Sequence, residues 1–343
     1  MLTAELIAPR EFRLAQQTIE DPGPGEVQVR VRAVGICGSD LHSYSEGAIG
    51  DSPCVYPMVL GHEPAGEVFK TGAGVTGWAA GDRAALEPAL YCYHCEFCRR
   101  GHHNVCAHIR FLSTPGHPGF FREFVNLPAA NLLAIPARMS FAEATLAEPL
   151  AIGLHSMKFA SIGIGETVAV FGAGPIGLVT IACLRLAGAG RIWAVEPGEH
   201  RRAMAVKMGA AVALDPNACD VAREIVNDTA GRGVDCAIDC AAKQNTINDA
   251  IRAVRNAGRV VLTGIHSAPF VPFEVSPMRR KELAIFNVRR SNHESHAAID
   301  LLLSHTNWFA PMITHTRPLA LVAEAFRITE HYADGVGKMI VAV

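Results

Sequence analysis

The stretch from residue 167 to residue 188 constrains this chain most, because it joins a short strand, a glycine-rich turn and a long apolar helix. The strand-like run Thr167–Phe171, in which three of the five residues are β-branched, leads directly into Gly172-Ala173-Gly174-Pro175-Ile176-Gly177. In this setting the first glycine permits a tight turn, and the second lets the backbone approach a pyrophosphate. The third lets the helix pack close to the strand. The pattern therefore predicts a dinucleotide-binding α/β unit, with the phosphates at the helix N-terminus.

Two simpler interpretations of this stretch are a buried glycine-rich turn and a membrane-spanning helix. The run is strongly apolar, but the glycines, Pro175 and Arg185 interrupt it, so it is too broken to span a bilayer. A lone glycine triplet would not exclude a buried turn. The strand before the triplet, the helix after it and an acidic residue farther on together favour a dinucleotide site.

That acidic residue follows a second predicted strand. Residues 191–195 have strand character, and Glu196 comes next, roughly 20 residues after the last glycine of the motif, where such sites use an acid. Its carboxylate would bind the ribose hydroxyls and repel a 2′-phosphate, which favours NAD over NADP. Arg201 and Arg202 lie within a turn and could shield such a phosphate, which leaves NADP open. The predicted cofactor-binding residues are Gly172, Gly174, Pro175, Ile176, Gly177, Glu196 and Arg201.

Length and charge exclude several classes of protein. A chain of 343 residues predicts two domains, each large enough for its own core. The formal net charge is −2 and no basic stripe is visible, which argues against nucleic acid or a membrane surface as a partner. No targeting sequence or uninterrupted apolar span is visible, so we expect a cytoplasmic protein.

Four closely spaced cysteines give the strongest metal signal. Cys92, Cys95, Cys98 and Cys106 lie in a predicted lobe of residues 91–107, and their spacing matches a closed tetrahedral zinc site that serves structure. A redox-active pair is the alternative, but no single pair of the four stands apart from the others. Five other cysteines have apolar neighbours and are predicted to be buried free thiols; they are Cys54, Cys183, Cys219, Cys236 and Cys240.

A second possible metal site draws on the N-terminal part of the chain. Cys37, His62 and Glu63 offer one thiolate, one imidazole and one carboxylate, and three such ligands with one open position are typical of catalytic zinc. A lone cysteine or histidine is more often structural, so these residues alone leave the site open. Ser39 and His42 strengthen it, because a hydroxyl and an imidazole three residues apart could pass a proton outward from a buried alcohol.

Glu148 and His42 also have plainer interpretations. Glu148 precedes a helix-like apolar run, where an acid can simply favour the helix dipole, or it can face the zinc. His42 could be an ordinary histidine on a surface loop.

The pattern of strands predicts an α/β fold with two domains. A doubly wound parallel (Rossmann) sheet is expected over residues 151–284, where strands and helices alternate. Residues 1–150, which include the cysteine lobe, are β-rich and form a separate catalytic domain. Residues 285–343 return to that domain through a final strand at Lys338–Val343, which makes the catalytic domain discontinuous.

Taken together, these motifs make the chain similar to the zinc-dependent medium-chain dehydrogenases over nearly its full length. The shared stretches are residues 35–42, 61–63, the four-cysteine lobe, 172–177 and Gly337-Lys338. Glu63 directly after the histidine, Phe111 with Thr114-Pro115, and Glu148-Pro149-Leu150 resemble the polyol (sorbitol, xylitol) dehydrogenase branch.

The resemblance implies a GroES-like catalytic domain and roles for particular residues. It implies that Cys37, His62 and Glu63 bind the catalytic zinc, with Glu148 at the zinc or its water, and that Ser39 and His42 form a proton relay. It also implies a homo-oligomer, a tetramer or a dimer. Phe111 and Arg289 fall at positions where the branch contacts substrate.

The sequence departs from the branch at two places. Ser43 stands where the branch tends to carry a tyrosine just after the relay histidine, and Tyr44 comes next. Arg290 takes the place of a tyrosine that neighbours the substrate arginine.

We therefore predict an NAD-dependent zinc dehydrogenase with two zinc ions per chain, one catalytic and one structural. The expected substrate is a polar secondary alcohol, such as a polyol or a sugar-like molecule. An aldonate is the alternative, because the guanidinium of Arg289 suits a carboxylate. A non-catalytic, nucleotide-sensing zinc protein is the alternative from a different class.

Overall fold

The computed structural model describes all 343 residues, which divide into two compact units. The first unit comprises Met1–Glu148 and Asn292–Val343, and the second comprises Pro149–Ser291. The sequence places the boundaries after residues 150 and 284, so the second unit continues farther along the chain than predicted. The reason is that the strand Ala284–Asn287 pairs in parallel with the preceding strand and so belongs to the second unit's sheet.

The regular structure consists of strands and helices distributed over both units. The strands are β1 (Leu2–Ala8), β2 (Glu11–Gln16), β3 (Glu26–Gly35), β4 (Ala48–Ile49), β5 (Ser52–Pro53), β6 (Glu63–Thr71), β7 (Arg83–Leu86), β8 (Ala89–Leu90), β9 (Arg110–Phe111), β10 (Phe124–Pro128), β11 (Leu132–Ala134), β12 (Thr167–Phe171), β13 (Arg191–Val195), β14 (Val212–Leu214), β15 (Val234–Asp239), β16 (Val254–Leu262), β17 (Ala284–Asn287), β18 (Ile313–Pro318) and β19 (Lys338–Ala342). The α-helices are α1 (Gly38–Glu46), α2 (Glu96–Arg99), α3 (Phe141–Ala144), α4 (Ala147–Ala160), α5 (Pro175–Leu186), α6 (Glu199–Lys207), α7 (Val221–Asp228), α8 (Thr246–Ala253), α9 (Val275–Arg280), α10 (Ser295–Ser304), α11 (Thr306–Phe309) and α12 (Val322–Glu330).

The second unit is a doubly wound α/β domain, which confirms the fold predicted from the glycine motif. Its six strands are all parallel and lie in the order β14-β13-β12-β15-β16-β17. Four side chains of β12 are fully buried, Val168 to Phe171, as is typical of parallel strands covered on both faces. The strand order reverses beside β12, so the turn that follows it lies at the topological switch point where such sheets bind ligands.

The first unit is β-rich and discontinuous in sequence. Its largest sheet has the order β11-β7-β6-β3-β19-β18, and β10 also pairs with β3. Along β3, Val27, Val29 and Val31 are fully buried, whereas Arg30 and Arg32 are half-buried, because successive side chains of a strand point to opposite faces of the sheet. Strand β19 pairs antiparallel with β3 and brings Ile340 opposite Gly35, which confirms that the final strand returns to the first part of the chain.

Two further expectations concern membranes and cysteines. No helix combines the length and the apolar character that crossing a bilayer requires. All ten cysteines are free thiols. Of the five predicted to be buried, Cys183 and Cys236 are buried, whereas Cys54, Cys219 and Cys240 are only half-buried, because they lie in loops or at the ends of elements rather than inside a sheet or helix.

Candidate metal and dinucleotide sites

Three possible metal ligands from separate segments meet in the first unit. Cys37 lies just after β3 and precedes α1, His62 precedes β6, and Glu63 begins β6. Antiparallel pairing sets Glu63 opposite Gly35, so the start of β6 lies beside the end of β3. The ligand atoms of Cys37, His62 and Glu63 all lie within 4.8 Å of one another. We call these three residues the mixed cluster; its donors suit zinc, and three protein ligands leave one coordination position for a substrate oxygen.

A buried carboxylate that the sequence analysis did not single out holds the mixed cluster in place. Asp40 is 1% exposed, and its Oδ1 accepts a hydrogen bond from Ser113 Oγ at 3.0 Å and lies 3.2 Å from His62 Nδ1. Its Oδ2 accepts a hydrogen bond from the Cys37 backbone N–H at 3.2 Å. Engagement of Nδ1 leaves His62 Nε2 for a metal, as carboxylate–histidine pairs do in zinc sites.

Charge and burial oppose each other on this carboxylate–imidazole pair. Burial raises the pKa of Asp40, but the His62 charge and hydrogen bonds to Asp40 lower it overall. Burial lowers the pKa of His62, yet the charges of Asp40 and Cys37 raise it well above its ordinary value. A metal ion therefore competes with a proton for the His62 imidazole.

The two residues of the predicted proton relay both lie on α1 but bond to different partners. Ser39 Oγ lies 3.4 Å from His62 Nε2, next to the mixed cluster. His42 Nδ1 lies 2.9 Å from Glu46 Oε1, one turn along the same helix. No hydrogen bond joins Ser39 to His42, so the relay stays a prediction.

Glu148 lies in the first turn of α4 and is not part of the mixed cluster. It borders a cavity of about 10 Å³, roughly the space that one water needs. Glu87 and Ser295 line the same cavity, and Ser295 Oγ donates to Glu87 Oε2 at 2.7 Å. Burial, with a further contribution from the charges of Glu63 and Glu87, raises the pKa of Glu148 to about 8. The sequence analysis missed Glu87 because no spacing connects it to Glu148.

Of the two predicted substrate residues, Phe111 lies at the mixed cluster. Its ring centroid is 5.5 Å from that of His62. Arg289 lies in the second unit, just after β17. The next residue, Arg290, has a left-handed backbone conformation with φ of 56°. A role for either arginine toward a substrate stays a prediction.

Lys338, the first residue of β19, carries a buried charge beside the mixed cluster. Its Nζ forms an ion pair with Glu63 Oε2 and donates a hydrogen bond to the Ile36 carbonyl at 3.0 Å. Burial lowers the pKa of Lys338, but the charges of Glu63 and Cys37 raise it above its ordinary value overall. In the sequence this lysine stands out only as part of the Gly337-Lys338 motif, because its partners are far away along the chain.

The four cysteines of the lobe also meet, and we call them the lobe cluster. Their sulfur atoms all lie within 4.8 Å of one another; the pair formed by Cys92 and Cys106 is 3.5 Å apart. Backbone N–H groups of the same segment point at the sulfurs: Cys95 N donates to Cys92 Sγ at 3.3 Å, and Cys98 N donates to Cys95 Sγ at 3.5 Å. Such N–H groups stabilise thiolates, and the N–H of Cys98 in particular helps lower the pKa of Cys95 to about 6. Four converging sulfurs fit a closed zinc site.

The glycine motif has the geometry that a dinucleotide needs. Gly172 has φ of 92°, a left-handed conformation that favours glycine. A Cβ at Gly177 would clash with the Gly172 carbonyl, whereas Gly174 faces open space, and the nearest atom to a Cβ there is Arg201 Nη1 at 3.9 Å. Gly174 caps α5, and Pro175 is its first residue. The turn is therefore closed on its helix side and open at Gly174, as phosphate binding requires.

Glu196 and Arg201 both lie beside this turn. Glu196 Oε2 accepts a hydrogen bond from Ala173 N and Oε1 accepts one from Gly198 N, each at 2.9 Å. Glu196 thus braces the turn and keeps lone pairs for ribose hydroxyls. Arg201 is 7% exposed, while Arg202 donates to the backbone carbonyls of Glu196 and Pro197. Of the two arginines, Arg201 is the one beside Gly174.

Comparison with known proteins matches both units to domains of dehydrogenases. Residues 23–137 match the alcohol dehydrogenase GroES-like domain, and residues 175–304 match the zinc-binding dehydrogenase domain. The chain is 35% identical to sorbitol dehydrogenase of Homo sapiens, with 97% of this chain and 92% of that protein covered. It is 33% identical to L-idonate 5-dehydrogenase of Vitis vinifera, with 98% and 94% covered. A short chain alcohol dehydrogenase from Escherichia coli, solved with NADH, superposes with a TM-score of 0.90 at 28% identity, with 100% and 99% covered.

Proposed function

Because the chain belongs to the zinc-binding alcohol dehydrogenase family, we propose that it transfers a hydride between NAD and a polar secondary alcohol of the polyol or sugar-like class. The observation that carries this proposal is the convergence of Cys37, His62 and Glu63, whose ligand atoms lie within 4.8 Å of one another. The family, together with the mixed cluster and the glycine motif, identifies the protein as an enzyme. A purely nucleotide-sensing role is therefore not needed to explain these motifs.

Each cofactor has residues that fit it. We propose that the mixed cluster holds the catalytic zinc, that the lobe cluster holds the structural zinc, and that Gly172, Gly174, Pro175, Ile176, Gly177, Glu196 and Arg201 hold NAD. When bound, the catalytic zinc would polarise the alcohol oxygen and NAD would accept the hydride. The chain's own residues must orient the ligands and remove the proton.

Proton removal is proposed for the face of α1 that bears Ser39 and His42. Ser39 Oγ, 3.4 Å from His62 Nε2, is close enough to the ligand atoms to accept a proton from an alcohol held there. His42 leads outward, since it pairs with Glu46, whose side chain is 44% exposed. Transfer between Ser39 and His42 needs a bridging water or hydroxyl, because the two side chains are not hydrogen-bonded.

The polar groups near the mixed cluster favour a substrate with several hydroxyls. We propose that Glu148 lies close enough to act on the substrate or its water, with Glu87 behind it across the small cavity. A simple apolar alcohol would offer no hydroxyl beyond the reacting one to these half-buried polar groups, so it would gain fewer hydrogen bonds there. A polyol offers neighbouring hydroxyls that can donate to them, while the ring of Phe111 would pack against its carbon chain.

An aldonate is the second candidate, and the similarity to L-idonate 5-dehydrogenase of Vitis vinifera favours it. Arg289 is the residue proposed to bind the carboxylate, since its guanidinium can donate two parallel hydrogen bonds. Phe111 is shared by both candidates and does not distinguish them.

A substrate panel distinguishes these candidates. We expect NADH formation with sorbitol, xylitol or galactitol to exceed that with simple primary alcohols by at least about tenfold in kcat/KM, which corresponds to one or two extra satisfied hydrogen bonds. A clear preference for primary alcohols contradicts the polyol proposal. If only aldonates react, Arg289→Ala should raise KM sharply, and an unchanged KM removes this arginine from the substrate site.

Cofactor choice has its own test. We propose that Glu196 selects NAD, so kcat/KM with NAD should exceed kcat/KM with NADP. A preference for NADP would contradict the role given to Glu196 and point to Arg201 as a phosphate ligand.

We also propose that the chain forms a homo-oligomer, a tetramer or a dimer, as the family resemblance implies, and that it resides in the cytoplasm. Light scattering on the purified protein measures the first, and cell fractionation measures the second.

A further inference from the structure

The ion pair between Lys338 and Glu63 is buried to an unusual degree. The two side chains are 1% and 0% exposed, so neither charge is solvated by bulk water. Three adjacent strands bring them together: Glu63 begins β6, Lys338 begins β19, and β3 pairs with both. The Ile36 carbonyl accepts a hydrogen bond from Lys338 Nζ. Each charge therefore depends on the other, because burying a lone charge is strongly unfavourable.

A glycine between the two strands makes room for this pair. A Cβ at Gly35 would overlap with Glu63 Oε2 and would lie 2.8 Å from Lys338 Cε. Gly35 has an ordinary, negative φ and is not needed for a turn. Its missing side chain instead leaves the space in which the carboxylate and the ammonium meet, so the pair is a built feature of the fold.

We propose that Lys338 is a positioning residue that holds the Glu63 carboxylate beside Cys37 and His62 before a metal arrives, and then competes with the metal for that carboxylate. This inference rests on the proposed assignment of Cys37, His62 and Glu63 as metal ligands. Glu63 has one carboxylate for two cations. The ammonium therefore prepares the site and at the same time limits how tightly the site binds a divalent ion.

The two effects have opposite signs, and this makes them measurable. Without Lys338, the metal-free chain keeps Glu63 as a buried charge with no counter-charge, so its stability falls. The metal-bound chain loses less, because the metal supplies the missing positive charge, and a repulsion between two cations disappears. By linkage, the mixed cluster must then bind a divalent metal more tightly. A lysine with a merely structural role would destabilise both states equally and leave metal affinity unchanged.

The test compares the full-length protein with its Lys338→Met variant, using Zn²⁺ and Co²⁺ as probes. Zn²⁺ affinity is measured by competition with a chelator, and Co²⁺ absorption separates a one-thiolate site from a four-thiolate site in the same sample. We expect at least about tenfold tighter binding at the one-thiolate site of the variant and no change at the lobe cluster, which serves as an internal reference. The Tm of the metal-free variant should fall, and the gap between metal-free and metal-bound Tm should widen.

Three further variants isolate the charge effect. Ile340→Ala removes a buried side chain, 1% exposed, from the same strand; it should lower Tm without tightening metal binding. Lys338→Arg keeps the charge and should keep the affinity near that of the natural protein. Glu63→Gln combined with Lys338→Met removes both charges and should recover the metal-free stability that Lys338→Met alone loses.

The following results would overturn the proposal for Lys338 or the ligand assignment on which it rests. Unchanged or weaker binding at the one-thiolate site of Lys338→Met overturns the proposal. If that variant folds only with zinc, its zinc release is measured instead, and release as fast as in the natural protein overturns it. If the double variant is no more stable than Lys338→Met, the lysine acts through something other than Glu63, and the proposal is also overturned. Failure of the natural protein to bind Co²⁺ at a one-thiolate site would contradict the proposed ligand assignment itself.

Discussion

The lobe cluster and the mixed cluster bring their ligands together by different means. In the lobe cluster all four ligands lie between residues 92 and 106, and backbone N–H groups of that same segment point at the sulfurs. In the mixed cluster the ligands come from the end of β3 and the start of β6, and their support comes from Asp40, Ser113 and Lys338. The first cluster is a local structure, whereas the second depends on the assembled sheet.

This difference matches the tasks proposed for the two clusters. Four sulfurs fill a tetrahedral site, so a metal there contributes to folding and has no position for substrate. Three mixed ligands leave one position open and depend on surrounding groups to orient them. Loss of a ligand from the lobe cluster should therefore destabilise the lobe, whereas loss of a ligand from the mixed cluster should lower activity more than stability.

The largest expected effect is on turnover, from Cys37→Ser. Loss of the thiolate should remove the metal from the mixed cluster, and with it several kcal/mol of transition-state stabilisation, or roughly a thousandfold in kcat/KM. Zinc content should fall from two to one per chain. Tm should fall less than in Cys98→Ser, because the lobe cluster keeps its zinc. Normal activity in this variant would contradict the catalytic assignment of the mixed cluster. It would also contradict the proposed difference in task between the mixed cluster and the lobe cluster.

The next largest effect is on stability, from Cys98→Ser. Because structural zinc contributes directly to folding, we expect a loss of several kcal/mol, or a fall in Tm on the order of 10 °C for the first unit. Limited proteolysis should cut within residues 91–107. The one-thiolate Co²⁺ spectrum of the mixed cluster should persist; if it disappeared as well, the two clusters would not be independent.

A smaller effect is expected from Asp40→Asn, which tests how far the mixed cluster depends on its surroundings. The amide keeps the size of the side chain but replaces a charged acceptor at His62 Nδ1. Metal affinity at the mixed cluster or kcat should fall about 10- to 100-fold, while zinc binding at the lobe cluster should be unaffected. An unchanged affinity and kcat would show that the ligands orient themselves.

The smallest effect is expected from Asn292→Ala, which tests whether the lobe cluster depends only on residues of its own segment. Asn292 Nδ2 donates to the Gly101 carbonyl at 2.8 Å, and its Oδ1 accepts from His103 N at 3.1 Å. Both hydrogen bonds are at least partly exposed, so their loss should cost only about 1 kcal/mol and speed zinc release from the lobe slightly. Loss of the lobe zinc on purification would mean that the lobe needs its distant neighbour.

The same contrast explains what the sequence could predict. The lobe cluster and the glycine turn are short motifs, so spacing alone indicates their ligands and their conformation. Asp40 and Lys338 could not be assigned in this way, because their partners depend on pairing between distant segments; the hydrogen bond from Lys338 to Ile36 spans 302 positions.

The spacing of residues in the sequence also did not predict which hydrogen-bond partners their side chains have. Ser39 and His42 do lie on one helix, as three-residue spacing suggests, but Ser39 bonds toward His62 and His42 toward Glu46. The choice between partners depends on which other elements pack against the helix. The end of the second unit was misjudged for a related reason, since β17 is identified as its sixth strand only by pairing with β16.

The position of Lys338 at the start of β19 has a consequence for biosynthesis. A ribosome makes residues 92–106 early, so the lobe cluster can take up zinc as soon as that segment emerges from the exit tunnel. Until β19 has been made and has docked beside β3, the mixed cluster lacks both the counter-charge for Glu63 and the cation that competes with a metal for that carboxylate. A metal bound there at that stage would supply the missing charge itself, and the docking of Lys338 would then lower the affinity of the site to its final value.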